Sequence, residues 1–597
     1  VLISDGGGII LIGTAGPGSA NPGAAPVVNI GRGTGTGSMT LQSGGSLQVV
    51  ARAGASTAPR IEIGLDAGAT GSLSVDGQST GIRLGTLVQG GPNPFMSVGR
   101  RGTGSLSITN GGSVSFDHSG GALVRDSASG LNIGGGFGDA GGQGSALVSG
   151  AGSQVLLSNG LSRYSVLTVG RGAGSVGSLT AQDGGKVSQV TAALVGTDGG
   201  QGAITLDHGR LEMSGSHFVT GGAADTGAAL VIGRNGGTGT LTMRNQSELK
   251  ITAPMPNPGG LQIGAPDGFT AISLGGSSVA INGGTGTIDM SSGSTLTMSG
   301  GTPGATDNSA QYSGLYVGRI GTGTMSVGGT GTTVDVSGLG NGGRVMVGVE
   351  PFGVNTGTGT LKVTDNAQVN AGRLLGIAHT GVSSSGGTGT LVVESGGSVR
   401  AESIYIGNRG FVTGNGGLLI GNVFNDGGVI GPGQSPGRLT IEGGYQASNG
   451  GKIVLEIEAD GLGGFLTDSI LFLGINSGDL DFSGTEFEFV FLGDTNPLDF
   501  VGSGLGSLSS FLKFDNGDGE QGIDELAELS ELLGDASFGA RADRYLIADF
   551  TYDAARGFAS ISASQVPEPG TLALLAMSVL LLTLGSSRRL ARARRPL

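Results

Sequence analysis

The chain has no cysteine and no tryptophan, and aromatic residues make up only 5% of it. Without cysteine there is no disulfide framework and no thiolate metal site. Charge is scarce too: lysine, arginine, aspartate and glutamate together reach 13%, with a net charge of −14. Five arginines crowd the last ten residues, so the rest of the chain stands at −19. Phosphate contacts need clustered lysine and arginine, which an acidic body with scattered cations does not offer. No nucleic-acid partner is expected.

Catalytic and metal signatures are equally thin. The four histidines, His118, His208, His217 and His379, fall in different parts of the chain, none at metal-binding spacing, and read as surface or turn residues. Gly433-Gln-Ser435-Pro-Gly437 has the outline of a G-x-S-x-G nucleophile elbow. Pro436 removes the N–H that an oxyanion hole needs, and no histidine follows Ser435. Asp515 to Glu520 has the composition of a calcium loop without its register. No phosphate-binding G-x-x-x-x-G-K-[ST] occurs. The expectation is a protein with no catalytic residue, no metal and no cofactor.

What is abundant is glycine, 128 of 597 residues, without the third-position period of collagen. It belongs to a repeat, seen clearly in residues 97–116, SVGRRGTGSLSITNGGSVSF. Leu106 and Ile108 alternate with Ser105 and Ser107, the period of a half-buried strand. Asn110-Gly111-Gly112 is a turn, and Val114 and Phe116 alternate beyond it. A third short strand ends at the next [VI]-G. The [VI]-G glycine recurs at Gly31, Gly64, Gly99, Gly134, Gly170, Gly196, Gly233, Gly264, Gly318, Gly348 and Gly407, with a degenerate copy near Gly376. The spacing, mostly about 30 to 36 residues, falls in the window of repeat architectures. Coils of short strands with no helical pattern between them predict an all-β, right-handed parallel β-helix, or solenoid. At about 4.8 Å per coil, 12 to 20 coils give a rod of roughly 60 to 100 Å. An arginine follows the glycine at Arg32, Arg100, Arg171, Arg234 and Arg319. Such a ladder offers contacts to an acidic polysaccharide, although stem packing at a coil corner is the favoured reading.

The chain divides into residues 1–27, a lead-in or first coil; 28–464, the parallel β-helix repeats; 465–564, a small, mostly β cap; and 565–597, a tail. The interval from Gly264 to Gly318 reads as an irregular or extra coil, and residues 119–130 and 214–229 as projecting loops. Residues 522–533 carry leucines at helical spacing, and 545–550 and 557–564 read as closing strands. The start has neither an initiator methionine nor a basic n-region, so export requires a leader already removed or outside the given chain.

Two stretches carry a family resemblance. Pro432-Gly433, Ser435-Pro436-Gly437, Leu439, Tyr445-Gln446 and Gly451 resemble the end of autotransporter-type β-helix passengers, and the preceding repeats are similar to the glycine-rich repeats of those and PEP-CTERM surface proteins. Val566, Pro567, Glu568 and Pro569 precede an apolar run containing Thr571, Leu572, Leu574, Leu575, Val579, Leu580, Leu581, Leu582 and Leu584, then a basic stop of Arg588, Arg589, Arg592, Arg594 and Arg595. This tripartite end resembles the PEP-CTERM sorting signal. The apolar run is shorter than an ordinary span, and snorkelling arginines extend it into a short transmembrane sorting helix. The positive-inside rule keeps the arginines cytoplasmic and the body across the membrane. The resemblance implies an exosortase-type sorting protease as partner, transient residence in the inner membrane through the C-terminal helix, and delivery to the cell surface or matrix. A structural or adhesive role follows, with an exopolysaccharide or other surface polymer as candidate ligand; the alternative is a polysaccharide-binding or polysaccharide-degrading β-helix enzyme. A full autotransporter is not expected, since about 30 residues after the cap cannot form a membrane barrel.

Overall fold

In the computed structural model the described residues are 1–12, 25–52, 55, 57–86, 92–117, 130–136, 138–158, 165–213, 228–253, 271–274, 283–300, 314–340, 342–349, 357–384, 386–433, 436–475, 477–523, 529–553 and 557–566. They form a parallel β-solenoid with three strands per coil. In one coil these are Thr103–Thr109, Ser113–Asp117 and Gly130–Gly135, which we call faces 1, 2 and 3. Each pairs in parallel with its counterparts one coil away. Thr103–Thr109 lies between Thr70–Asp76 and Gln143–Ser149, with Leu106 opposite Leu73 and Ala146. Among the described residues face 1 has 18 strands, of which only Phe465–Thr467 is antiparallel, leaving 17 stacked layers. At the usual interstrand spacing the stack is about 80 Å long.

Alternation within the strands builds the core. Leu106, Ile108, Val114 and Phe116 are buried, and the serines between them face outward. Each such side chain gains about 2 kcal/mol from burial. Face 3 differs, because Gly130–Gly135 is buried along its whole length and so is Gly314–Val317. Through the glycine-rich repeats the connections from face 1 to face 2 are tight turns, as between Thr109 and Ser113, whereas residues 460–468 and 492–511 intervene near the C-terminal end. Those from face 2 to face 3 range from none, where Ser398–Gly407 and Gly417–Asp426 each run through both faces, to residues 254–270.

The glycine pattern has a steric cause. The [VI]-G glycines Gly31, Gly64, Gly99, Gly134, Gly170, Gly196, Gly233, Gly318 and Gly348 all hold φ between 61° and 76° at the corner after face 3. A Cβ on Gly99 would sit 1.8 Å from the Gln143 carbonyl oxygen of the next coil. The face 1 glycine Gly104 packs against the same corner: its Cβ would meet the Gly99 nitrogen at 2.2 Å and the Ile63 oxygen at 2.5 Å. Two glycines per coil therefore let three layers close on one another.

Register corrects two assignments. The strand stacked between Ile232 and Val317 is Ala271–Leu274, so Leu274 holds the place expected just before Gly264. Thr285–Met290, Thr295–Gly300 and Gly314–Val317 then make one regular coil, not an extra one. Near the degenerate copy, Ile377 stacks on Val347, which puts Ala378 at the corner with φ 48°, while Gly376 lies inside the strand. Residues 119–129 and 214–227, expected as loops, are outside the described set.

At the start, Leu2–Ile3 and Gly8–Ile12 stack on Thr36–Gln42 and Ser46–Ala51 as an outermost coil. Beyond residue 465 the parallel ladder runs on. Glu486–Phe491 stacks on Lys452–Ala459, and Ser537–Ala542 on Glu486–Phe491. Here the interior becomes aromatic: Phe472, Phe482, Phe487, Phe489, Phe491, Phe500 and Phe511 are buried. Two short helices flank this end, α1 at Pro497–Gly502, capped by Asn496, and α2 at Leu529–Leu533. Of the helix expected over 522–533, Gly522 instead pairs as a strand with Lys513, residues 524–528 lie outside the described set, and Leu529–Leu533 is helical. An antiparallel hairpin, Tyr545–Asp553 with Gly557–Gln565, closes the end, and Tyr552 stacks on Phe538 at 4.5 Å.

Candidate functional site

Of the residues expected to form the sorting signal, the structure describes only Val566. Pro567, Glu568 and Pro569, the apolar run and the basic stop lie outside the described residues. Among the described residues no helix is long and apolar enough to cross a membrane. The position of Val566 is informative. Its N–H donates to the Arg544 carbonyl oxygen at 2.8 Å, just beyond the Tyr545–Gln565 pair. The motif therefore leaves directly from the last rung of the closing hairpin. Val566 is exposed, as is Leu546. Arg544 also reaches Asp494 at 3.1 Å, and α1 packs against Gly557–Gln565. The exit point is thus fixed to the end of the stack.

The arginine ladder is tied into the fold rather than held ready for a polymer. The Arg100 guanidinium donates from Nη1 to Glu62 at 2.9 Å and from Nε to Asp139 at 2.7 Å, joining three successive coils. Glu62 is only 2% exposed. Burial opposes the Arg100 charge, but Asp139 and Glu62 outweigh it and raise the pKa. Arg171 bonds Asp198 at 2.7 Å, and Asn235 donates to the same carboxylate at 2.6 Å. Arg319 is wholly buried with its guanidinium 5.1 Å from the centre of the Tyr316 ring. Arg32 alone of the five is exposed.

The equivalent position after the corner residue Ala378 is His379. The sequence reads as placing it at the surface or in a turn; it is 3% exposed. Its Nδ1 accepts from the Gly381 N–H at 2.9 Å, and its Nε2 faces Asp426 at 3.2 Å. The ring stacks on Tyr405 at 5.0 Å, and Tyr405 stacks on Phe424 at 4.8 Å. Burial lowers the His379 pKa more than Asp426 raises it. Burial pushes the Asp426 carboxyl up, but hydrogen bonds from Asn449, Ser448 and Ser384, with His379 beside it, bring it below its usual value. Ser384 donates to Asp426 at 3.1 Å, so serine and histidine both address the carboxylate rather than each other. That is a structural clamp, not a nucleophile with its base. The signal that could have located it is positional: a histidine where five other coils carry arginine.

The remaining sequence candidates are brought into no common site. His118 and His217 are outside the described residues, and so is Ser435. The buried Asp468 accepts from the Gly437 and Glu456 amides at 2.7 and 3.0 Å through its two carboxylate oxygens. Asp515 accepts from the amides of Gly517 and Gly519, closing its own loop, while Glu520 pairs with Arg438 and Lys513. Among the described residues no three His, Asp or Glu side chains converge to hold a metal.

Comparison with known proteins bears on the end of the chain. The PEP-CTERM protein-sorting motif matches residues 565–589. No curated protein matches the chain. Among solved structures the chain is similar to a TibC-catalyzed hyper-glycosylated TibA fragment, at 13% identity over 76% of this chain and 99% of that one, with a TM-score of 0.19. The matched segment begins at Gln565, the last paired residue of the hairpin, and ends at Arg589 in the basic stop. This β-solenoid chain therefore carries at its C-terminus a PEP-CTERM sorting signal, the mark of an exported protein held at the membrane before it passes to the cell surface.

Proposed function

We propose that the chain is a rigid exported rod that serves a structural or adhesive role at the cell surface or in the extracellular matrix, without catalysis of its own. The observation that carries this reading is the attachment of the sorting motif directly to the closed end of a stack of 17 layers. Such a geometry projects the rest of the rod away from the membrane. A polysaccharide-degrading solenoid would need carboxylates converging in a groove. The carboxylates of Glu62, Asp139, Asp198 and Asp426 are instead bonded to groups of neighbouring coils. The acidic-polymer ladder loses support for the same reason, since Arg100 and Arg171 are already paired.

The test is mass spectrometry of the C-terminus of protein recovered from medium, surface and membrane fractions. Surface or medium material lacking everything after the Pro567–Pro569 region is the expected result. Full-length protein confined to the membrane would refute processing and delivery.

A further inference from the structure

The end from which the signal emerges combines two features. First, it exposes large apolar side chains, as the opposite end does at Val1, Leu2, Ile9, Ile10 and Ile12. Leu498 on α1 is 47% exposed, Leu546 63% and Val566 47%. Leu546 pairs with Ser564 across the hairpin, so Leu546 and Val566 are diagonal neighbours on one face, roughly 7 to 8 Å apart. Asp494 of the loop leading into α1 bonds Arg544, which brings Leu498 to the same end. Second, the end is acidic. Residues 465–564 hold eighteen acidic and four basic side chains, net −14, whereas residues 1–464 hold 26 and 22, net −4. Asp494, Asp499, Asp543 and Asp549 of this end are exposed, Asp494 being paired with Arg544.

The chain beyond the structure limits what can face this patch. From Val566 to Thr571, where the apolar run begins, is five residues, at most about 18 Å when fully extended. The patch is therefore held near the membrane for as long as the signal is intact. An acidic rim is a poor match for an anionic lipid surface. It suits a protein with an apolar seat and a basic rim.

Resting on the reading that the signal is processed, we infer that Leu498, Leu546 and Val566 with their acidic surround are a second recognition element, docking on the extracytoplasmic face of the membrane-embedded sorting protease. The protease then reads the folded end of the rod as well as the motif. Folding of the closing hairpin becomes a condition for efficient release.

The experiment uses the full chain and the protease co-reconstituted in phosphatidylethanolamine–phosphatidylglycerol vesicles, with cleavage followed over time. Leu498→Glu with Leu546→Glu should slow cleavage about tenfold without moving the denaturation midpoint, because both side chains are exposed. Glu568→Ala, in the motif itself, should block cleavage. Benzoylphenylalanine at position 546 should crosslink to the protease. Wild-type cleavage rates in the double variant, with Glu568→Ala still blocked, would overturn the docking surface and leave the sorting reading intact. Crosslinking to lipid instead of protease would overturn it in favour of a membrane seat. Cleavage unaffected by Glu568→Ala would sink the sorting reading itself.

Discussion

Replacing Gly104 with alanine should uncouple the stack at one coil. The new Cβ would stand 2.2 Å from the Gly99 nitrogen and 2.5 Å from the Ile63 oxygen, both backbone atoms. Overpacking that side chains can absorb costs about 1 to 3 kcal/mol. Here the backbone must part, and the Gly99 N–H to Ile63 carbonyl bond of 2.7 Å is in the way. Its loss adds about 1 kcal/mol. A total of about 2 to 4 kcal/mol is expected. Gly99→Ala should cost more, since it adds the left-handed conformation for a residue with a Cβ, about 1 to 2 kcal/mol. Gly174 is the control: it has φ 70° and nothing within 4 Å of a built Cβ, so alanine there should cost only that conformational term. In a nearest-neighbour array the damage stays local. Urea denaturation should split into two steps for Gly104→Ala. Hydrogen exchange should quicken first in the strands holding Ile63, Val98 and Gln143. Equal midpoints for Gly104→Ala and Gly174→Ala would refute the steric reasoning.

Three further outcomes follow from the same geometry. Ala378 stands at a glycine corner with φ 48°, so Ala378→Gly should be neutral or stabilise by up to about 1 kcal/mol, read as the urea midpoint. Because burial depresses the His379 pKa, the folded chain resists a proton that the unfolded chain accepts near 6.5. Its stabilising contribution is complete above that pH and fades as pH falls through the lower folded value, so His379→Gln should flatten the stability curve below about pH 6.5, and parallel curves would contradict this. Arg100→Met leaves the buried Glu62 with only Arg60 at 3.5 Å, at a cost of about 2 to 3 kcal/mol. Adding Glu62→Gln should recover part of that loss in a double-mutant cycle on thermal midpoints.

How much of this could be read beforehand depended on what set each feature. The strand of the G-[TS]-L-x-[VIM] pattern, the turn at Asn110 and the corner glycine are local demands, and residue type states them openly. Tyr545–Asp553 and Gly557–Gln565 were legible for the same reason, by alternation. Register was not. Only stacking shows that Leu274 matches Ile232 and Val317, and that Ala378 replaces a glycine. The partners of Arg100 and the burial of His379 come from coils 38 and 47 residues away, which no spacing along the chain encodes. The continuation of the parallel ladder past residue 465 was hidden because phenylalanine replaces the aliphatic and glycine signature there. The sorting signal was the reverse case, being legible because it is contiguous.

The uneven connections between faces 2 and 3 have an evolutionary consequence. That corner ranges from an unbroken strand, Ser398–Gly407, to residues 254–270, while the layers on either side stay parallel, with a register shift between Ala228 and Leu230. Each doubling of such a connection costs only about 0.6 kcal/mol in closure entropy. Descendants of this chain can rewrite that edge freely, in length and in chemistry, while the two glycines of each coil hold the frame still. Variation and constancy are assigned to different edges of the same molecule.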